Sequence, residues 1–379
     1  MKISLLSENF LKKMLLVNHA ISTKSQLPIL LNFLIKAKTG KLSISATDLE
    51  IGIIAEIPAK IEEDGEVAVS AKTLTELMGT IQEDKIGLET TSGGLLLTGG
   101  GVKAIFQTAP AEDFPELYEE KGKETIILKK EAISKDFSRV VFAASMDQER
   151  PALSGVLIRE DGDGFLLAAT DGYRLSLKKQ ALRNTKKNSS PAVKAEPISI
   201  IVPSRIIREI VQLGKEDAVG ETALCVSREK NQIVFLQDDT TLVGRLIEAE
   251  FPSFEKIIPA EFSTKTIVEK IALQKAIKAC YVFARQTAGI IKFSVKKNAL
   301  TVSANAPSVG SNTVEIEAKT TGEENEIAFN ARYVLDFLAN VTGEVVSFEM
   351  NGPLNPGVFK ETDDTSFMHL VMPIRVQQE

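Results

Sequence analysis

Few side chains in these 379 residues sit at spacings that do chemistry. His19 and His369 are the only histidines, and neither has a Cys or a second His at metal-ligand spacing. Cys225 and Cys280 supply neither a disulfide framework nor a metal set. The acidic pairs Asp147/Glu149, Asp161/Asp163, Asp238/Asp239 and Asp363/Asp364 could hold Mg²⁺ through carboxylate oxygens. Each falls in a turn-like stretch, where solvated acids are the simpler reading. Gly40-Lys41, Gly122-Lys123 and Gly214-Lys215 are followed by Leu or Glu rather than Ser or Thr, which fails the phosphate-loop pattern. Gly99-Gly100-Gly101 lies between strand-like runs and reads as a hairpin turn. No nucleophile, base and orienting group occur together. The expectation is no catalytic residue, no metal, no cofactor and no enzyme.

A second chemistry is repeated. Lys12, Lys135 and Lys275 occupy matched places on three helices, and Lys72, Arg205, Arg208 and Arg332 lie on three others. Cations recurring on like-oriented helices would merge into one basic surface if the units were arranged around an axis. Such a surface suits a phosphate backbone and carries no base-reading code. The formal net charge of −6 is compatible with a basic lining inside an acidic exterior, on which DNA slides. The bland alternative is three solvated helix faces on a protein scaffold. A nucleic-acid-modifying enzyme using the acidic turns is the rival from another class, and it would need metal-dependent turnover.

The elements that position these cations form a threefold repeat. Helical spacing covers 7–22, 131–145 and 271–285, with Ser7 as a candidate cap for the first. Strand-like segments follow at 29–37, 41–46 and 50–56, at 153–159, 164–169 and 174–179, and at 290–295, 299–304 and 312–317. A second helix begins at Ala71, Pro203 and Asn330, and alternating strands over 85–108, 222–249 and 345–376 close each unit. The motif Ala46-Thr47-Asp48-Leu49 returns as Ala169-Thr170-Asp171-Gly172, a strand exit into a tight turn, and more faintly as Ala304-Asn305. Phe114-Pro115 and Phe251-Pro252 end the first two copies. Short turns imply antiparallel sheets with two helices on one face of each unit, an α+β fold. The polar stretch 183–197 reads as an exposed, mobile loop.

Hydrophobic content of 44% and charged content of 25% are ordinary for a globular chain. No apolar run approaches the roughly 18 residues of a membrane span. The start meets Glu8 before any long apolar stretch, so no signal peptide is expected, and the cytoplasm is the expected location.

Taken together, Leu27-Pro28-Ile29-Leu30, Ala46 to Glu50, Arg150-Pro151-Ala152-Leu153-Ser154-Gly155, Ala169 to Leu175, the two Phe-Pro pairs and Val371-Met372-Pro373-Ile374-Arg375 resemble the bacterial DNA polymerase III beta subunits, the replicative sliding clamps. The resemblance runs the length of the chain. It implies three clamp domains, at 1–122, 123–255 and 256–379, and a head-to-tail homodimer forming a six-domain ring around duplex DNA. It implies as partners a clamp loader, which carries the ATP, and the replicative polymerase and repair proteins, which dock short hydrophobic peptides. By motif match the peptide pocket is Leu153, Thr170, Gly172, Tyr173, Arg174, Leu175, Pro252, Lys256 and Ile257, with Leu370, Val371, Met372, Pro373, Ile374 and Arg375. The dimer interface is Val282 and Phe283 against the partner's Phe106. Lys24, Arg205 and Arg150 are implied as further DNA-facing residues. Tyr173 and Lys256 differ from some relatives, and four residues past Arg375 could shade the pocket mouth.

Overall fold

A computed structural model describes every residue except 23–26, 39, 118–123, 148, 182–196, 217–218, 228 and 376–379. The 183–197 loop and the C-terminal extension lie, apart from Pro197, outside the described residues, as does Lys24. Among the described residues there are six α-helices: α1 (Ser7–Val17), α2 (Ala71–Met78), α3 (Lys130–Val141), α4 (Ser204–Glu216), α5 (Lys270–Ala284) and α6 (Ala331–Asn340). Each repeat contributes one pair. A strand not foreseen from sequence leads into the first helix of every pair: Lys2–Leu6, Glu124–Lys129 and Thr264–Glu269. That strand removes the expected cap. Leu6 holds the N-cap position with no side-chain bond, and Ser7, the first helical residue, donates its hydroxyl to the Glu83 carbonyl instead. The second helices of the first and last repeats are capped from the side chain, by Ser70 accepting from Thr73 N–H and Asn330 accepting from Arg332 N–H.

The described residues form two compact units, one within Met1–Lys130 and Val219–Leu246, the other within Glu131–Arg183, Ala195–Ala218 and Ile247–Glu379. The central repeat is divided between them. In the first unit, a five-stranded sheet runs Ala59–Glu63, Lys2–Leu6, Lys85–Thr91, Gly94–Gly99, Val102–Phe106. A nine-stranded sheet there joins the first and central repeats through antiparallel pairing of Ile51–Ile57 with Thr240–Arg245. In the second unit, a nine-stranded sheet joins the central and last repeats by pairing Arg174–Ala181 with Asp364–Val371. A four-stranded sheet there has Gly310–Glu317 at one edge and Asn325–Asn330 at the other.

Alternating apolar residues on the strands and the apolar stripes of the helices make the cores. The second unit's core holds Phe293, Phe329, Phe337, Phe348, Phe359 and Phe367, each fully buried. Most of these rings meet edge to face, as Phe293 and Phe329 do at 5.7 Å and 84°. Gly357 is required there by contact, since a Cβ would stand 2.3 Å from Phe329 Cζ.

Three residues of the acidic pairs expected in solvated turns are ion-pair anchors. Asp238 bonds the buried Lys130 and Asp239 bonds Lys13. Asp364 receives Arg139 and Lys178, the latter at 2.7 Å. A buried cation needs a fixed counter-charge, and these turns supply it.

Candidate peptide pocket and nucleic-acid interface

The pocket residues implied by the motif match all belong to the second unit. The turn after strand Gly164–Thr170 holds itself: Thr170 Oγ1 donates to the Arg174 carbonyl at 2.6 Å and accepts from Gly172 N–H at 3.0 Å. Asp171 Oδ1 accepts from the N–H groups of Tyr173 and Arg174 at 2.9 and 3.0 Å. The first repeat builds the same turn with Thr47 and Asp48, bond for bond, so the sequence echo is an echo of geometry. One residue differs in cost. Gly172 has φ 93°, whereas its counterpart Leu49 is held at φ 78° with a side chain that disfavours it.

The C-terminal segment docks against this turn. Val371 is opposite Arg174 and Leu370 opposite Leu175 in the antiparallel ladder, and Met372 N–H continues it to the Tyr173 carbonyl at 2.9 Å. Ile374 N–H then bonds the Ala328 carbonyl at 2.8 Å, which fixes Pro373 between two anchored residues. Leu175 and Leu370 are buried in one cluster with Phe254, from the segment that also carries Pro252, Lys256 and Ile257. Tyr173, Ile257 and Met372 remain exposed at 61%, 42% and 37%. Leu153 and Pro373 are half-buried, and Pro252, Lys256 and Arg375 exposed. The geometry is an apolar floor with exposed apolar side chains around it, the form taken by sites for short hydrophobic peptides.

Arg174 fixes one wall. Its Nε donates to Asp171 at 3.0 Å, one terminal nitrogen to Asp336 at 2.5 Å and the other to the Phe142 carbonyl at 2.8 Å. Its guanidinium also lies 4.6 Å from the Tyr333 ring centre. Burial, followed by the Asp171 charge, pushes the Tyr333 hydroxyl above its ordinary range. Tyr333, Asp336 and Phe142 were not foreseen at this site. They lie in helices and helix ends distant in sequence, and no local pattern marks them.

The predicted DNA-facing cations separate by placement. Lys12, Lys135 and Lys275 are each the sixth residue of their helices, and all are exposed. Lys72, Arg205 and Arg332 are each the second residue of theirs, and these too are exposed. Arg208 is half-buried, donating to Ser204 Oγ at 3.3 Å and lying against the Met146 sulfur, and desolvation lowers its pKa. Arg150 stands beside Gly172, at the peptide pocket. Of the expected interface residues, Val282 is exposed, and Phe283 is half-buried beside Gly310, the first residue of an edge strand. Phe106 is buried in its own sheet; on that strand it is Ile105, 59% exposed, that faces outward. Among the described residues, no three His, Cys, Asp or Glu side chains converge as a metal site.

Three family models of the DNA polymerase III beta subunit match in chain order: the N-terminal domain over residues 1–118, the central domain over 127–253 and the C-terminal domain over 255–375. The chain belongs to the DNA polymerase III beta subunit family. The beta sliding clamp of Synechococcus elongatus is 28% identical over 371 residues, spanning 96% of both chains. That of Chlamydia muridarum is 28% identical over 98% of this chain and 97% of its own. Among solved structures, the DNA polymerase sliding clamp from Bacillus subtilis superposes with a TM-score of 0.92 at 23% identity, covering 100% of each chain. A beta subunit fold thus accounts for the three-part repeat.

Proposed function

We propose that the chain is a DNA sliding clamp, a processivity factor that encircles duplex DNA and tethers the replicative polymerase and repair proteins. The observation that carries this is the matched set of helix cations. Lys72, Arg205 and Arg332 stand in the first turn of their helices, where the macrodipole disfavours a positive charge by about 0.3–1 kcal/mol each. A penalty repeated at one position in all three repeats is explained by a shared anionic ligand. Non-specific phosphate contact is the chemistry that such positions offer.

Two copies joined head to tail would place three clamp domains each, at 1–122, 123–255 and 256–379, in one ring. The strands Val102–Phe106 and Gly310–Glu317 end their sheets with unpaired edges, and pairing one with the partner's other would continue both sheets. Ile105, Val282 and Phe283 flank these edges. Partner peptides dock in the pocket around Tyr173, Ile257 and Met372. The clamp has no catalytic site of its own, is opened by a separate loader and works in the cytoplasm. Among the described residues no helix is long and apolar enough to cross a membrane.

The decisive experiment pairs light scattering with DNA retention. The expected mass is twice 41.3 kDa. The loaded ring should persist on closed circular DNA and be lost on linearisation. A monomer at high concentration, or equal retention on linear and circular DNA, would overturn the ring.

A further inference from the structure

The backbone that frames the peptide pocket is built a second time in the first unit, with other side chains on it. A one-turn helix precedes the strands in both places, Pro28–Leu31 in the first unit and Pro151–Leu153 in the second. The strand-exit turns match bond for bond, and the closing strands are tied to them alike. Arg245 N–H bonds the Glu50 carbonyl at 2.9 Å, as Met372 N–H bonds that of Tyr173. A Phe-Pro segment covers both floors. Leu117 packs so closely onto Gly52 that a Cβ there would stand 2.6 Å from its Cδ2, whereas Phe254 clusters with the matching Leu175.

The exposed apolar groups have moved. Where the second unit has Tyr173 and Met372, the first has Glu50 and Arg245, both exposed and charged. Its apolar groups are instead Leu27, Leu31 and Leu49, exposed at 52%, 40% and 54%. These three are gathered by the fold. Leu31 ends the short helix that Leu27 caps. In the second unit Arg150 Nη1 comes within 3.9 Å of a Cβ built on Gly172, and 123 residues before that pair stand Leu27 and Leu49. Leu49 is unfavourable twice over. Its side chain faces water, and its backbone is held at φ 78°, where the matching residue is glycine. Glycine would remove both costs, so a leucine kept there is explained by a ligand that covers it.

The surrounding charges define that ligand. Glu50 adjoins Leu49, Glu116 adjoins Leu117, and both acids are exposed without an ion pair among the described residues. Arg245 is the one cation beside them on the closing strand, so acids outnumber it at this rim and complement a basic occupant.

We propose that Leu27, Leu31 and Leu49 form a second docking surface, which takes a short partner peptide with adjacent apolar side chains on the leucines and a lysine or arginine against Glu50. This rests on the pocket reading for the expectation that the occupant is a peptide. The leucine cluster and its strained member stand without it.

The test is methyl NMR on the full-length protein labelled at leucine, titrated with a short synthetic peptide of two leucines flanked by lysines, and with its counterpart flanked by glutamates. The lysine peptide should shift the methyls of Leu27, Leu31 and Leu49 saturably and leave Leu15 and Leu354, comparably exposed elsewhere, unmoved. Glu50→Lys should reverse the preference between the two peptides. Equal binding of both peptides to the native chain would overturn the basic occupant. Leu49→Gly separates docking from folding, because it relieves the backbone while removing the side chain. Its urea midpoint should be no lower than that of the native chain, and its affinity for the lysine peptide should fall severalfold. A lower midpoint, or an unchanged affinity, would overturn the surface. Met372→Asp spoils the pocket, so the shifts at the three leucines should persist in that variant. Their loss there would put the peptide in the pocket and overturn a second site. Failure of the pocket reading shows separately, as a hydrophobic clamp-binding peptide whose affinity Met372→Asp leaves unchanged.

Discussion

Arg174 is a cation whose three guanidinium nitrogens all bond within the protein, to Asp171, Asp336 and the Phe142 carbonyl. In the proposed pocket it would therefore present a rigid wall to a peptide rather than a mobile charge, and rigidity reduces the entropy lost on binding. Lysine cannot reproduce that three-way geometry. Arg174→Lys is expected to weaken binding of a hydrophobic clamp-binding peptide about tenfold, about 1.4 kcal/mol, by fluorescence anisotropy. An unchanged Kd would remove Arg174 from the site. His369 makes a different kind of statement. It is fully buried, stacked on Phe337, and bonded to Ser176 at 2.7 Å. Burial, then the Arg174 charge, lowers its pKa to about 3. Below the ordinary histidine range the unfolded chain takes up a proton that the folded chain refuses, so stability falls as the pH drops from about 6.5 toward 3. This histidine contributes up to about 1.4 kcal/mol per pH unit in that window. Nearby Asp364, despite its desolvation, is held well below the carboxylate range by bonds from Lys178 and Ser366, so its own loss comes only at lower pH. Asp136 is raised by burial against the pull of Lys178 and Arg139 and acts in the opposite sense. Urea midpoints between pH 7 and 4 should fall for the native chain and fall less for His369→Gln.

Among the elements, the strand-to-turn unit is the one used twice. Thr47-Asp48 and Thr170-Asp171 close identical loops, but only the second is followed by a strand that receives the C-terminal segment. Gly172 meets the left-handed backbone there without strain. Gly172→Val is expected to cost about 1–3 kcal/mol in stability by chemical unfolding, with peptide affinity reduced as Tyr173 shifts. Leu49 shows that the backbone tolerates a side chain at the matching place, so the fold should survive and the test should be readable. Gly357 is constrained by space instead. Gly357→Ala would drive a methyl against Phe329 and Phe348, and thermal unfolding should show about 1–3 kcal/mol of overpacking. A variant as stable as the native chain would mean that the phenylalanine cluster can give way.

For the molecule as a whole, one joint between repeats inside the second unit is ionic. Arg139 of α3 reaches Glu361 and Asp364 of the last repeat, and Glu361 also accepts from Thr342 N–H at 3.1 Å and Thr342 Oγ1 at 3.0 Å. With Glu361 only 3% exposed, removing its charge leaves a buried guanidinium poorly matched. Glu361→Gln is expected to destabilise the protein by about 3–5 kcal/mol in calorimetry or denaturant unfolding. A loss under 1 kcal/mol would mean that Asp364 alone suffices.

The sequence by itself determined what depends on neighbours along the chain. Helix periodicity, the Thr-Asp turn and the matched cations Lys12, Lys135 and Lys275 were legible because each is set within a few residues. So was the family resemblance. Only the tertiary structure decided which strand pairs with which across the repeats. Backbone hydrogen bonds carry no residue-specific address, so Arg174–Ala181 does not announce Asp364–Val371 as its neighbour. The ion pairs are hidden for the same reason: Arg174 and Asp336 are 162 residues apart, and Arg139 and Asp364 are 225. Outward and inward faces of an edge strand also waited on the fold, since Ile105 and Phe106 are equally apolar and only the packing of the sheet buries the second. Local chemistry wrote the repeat; long-range pairing turned three copies of it into a pocket and two open edges.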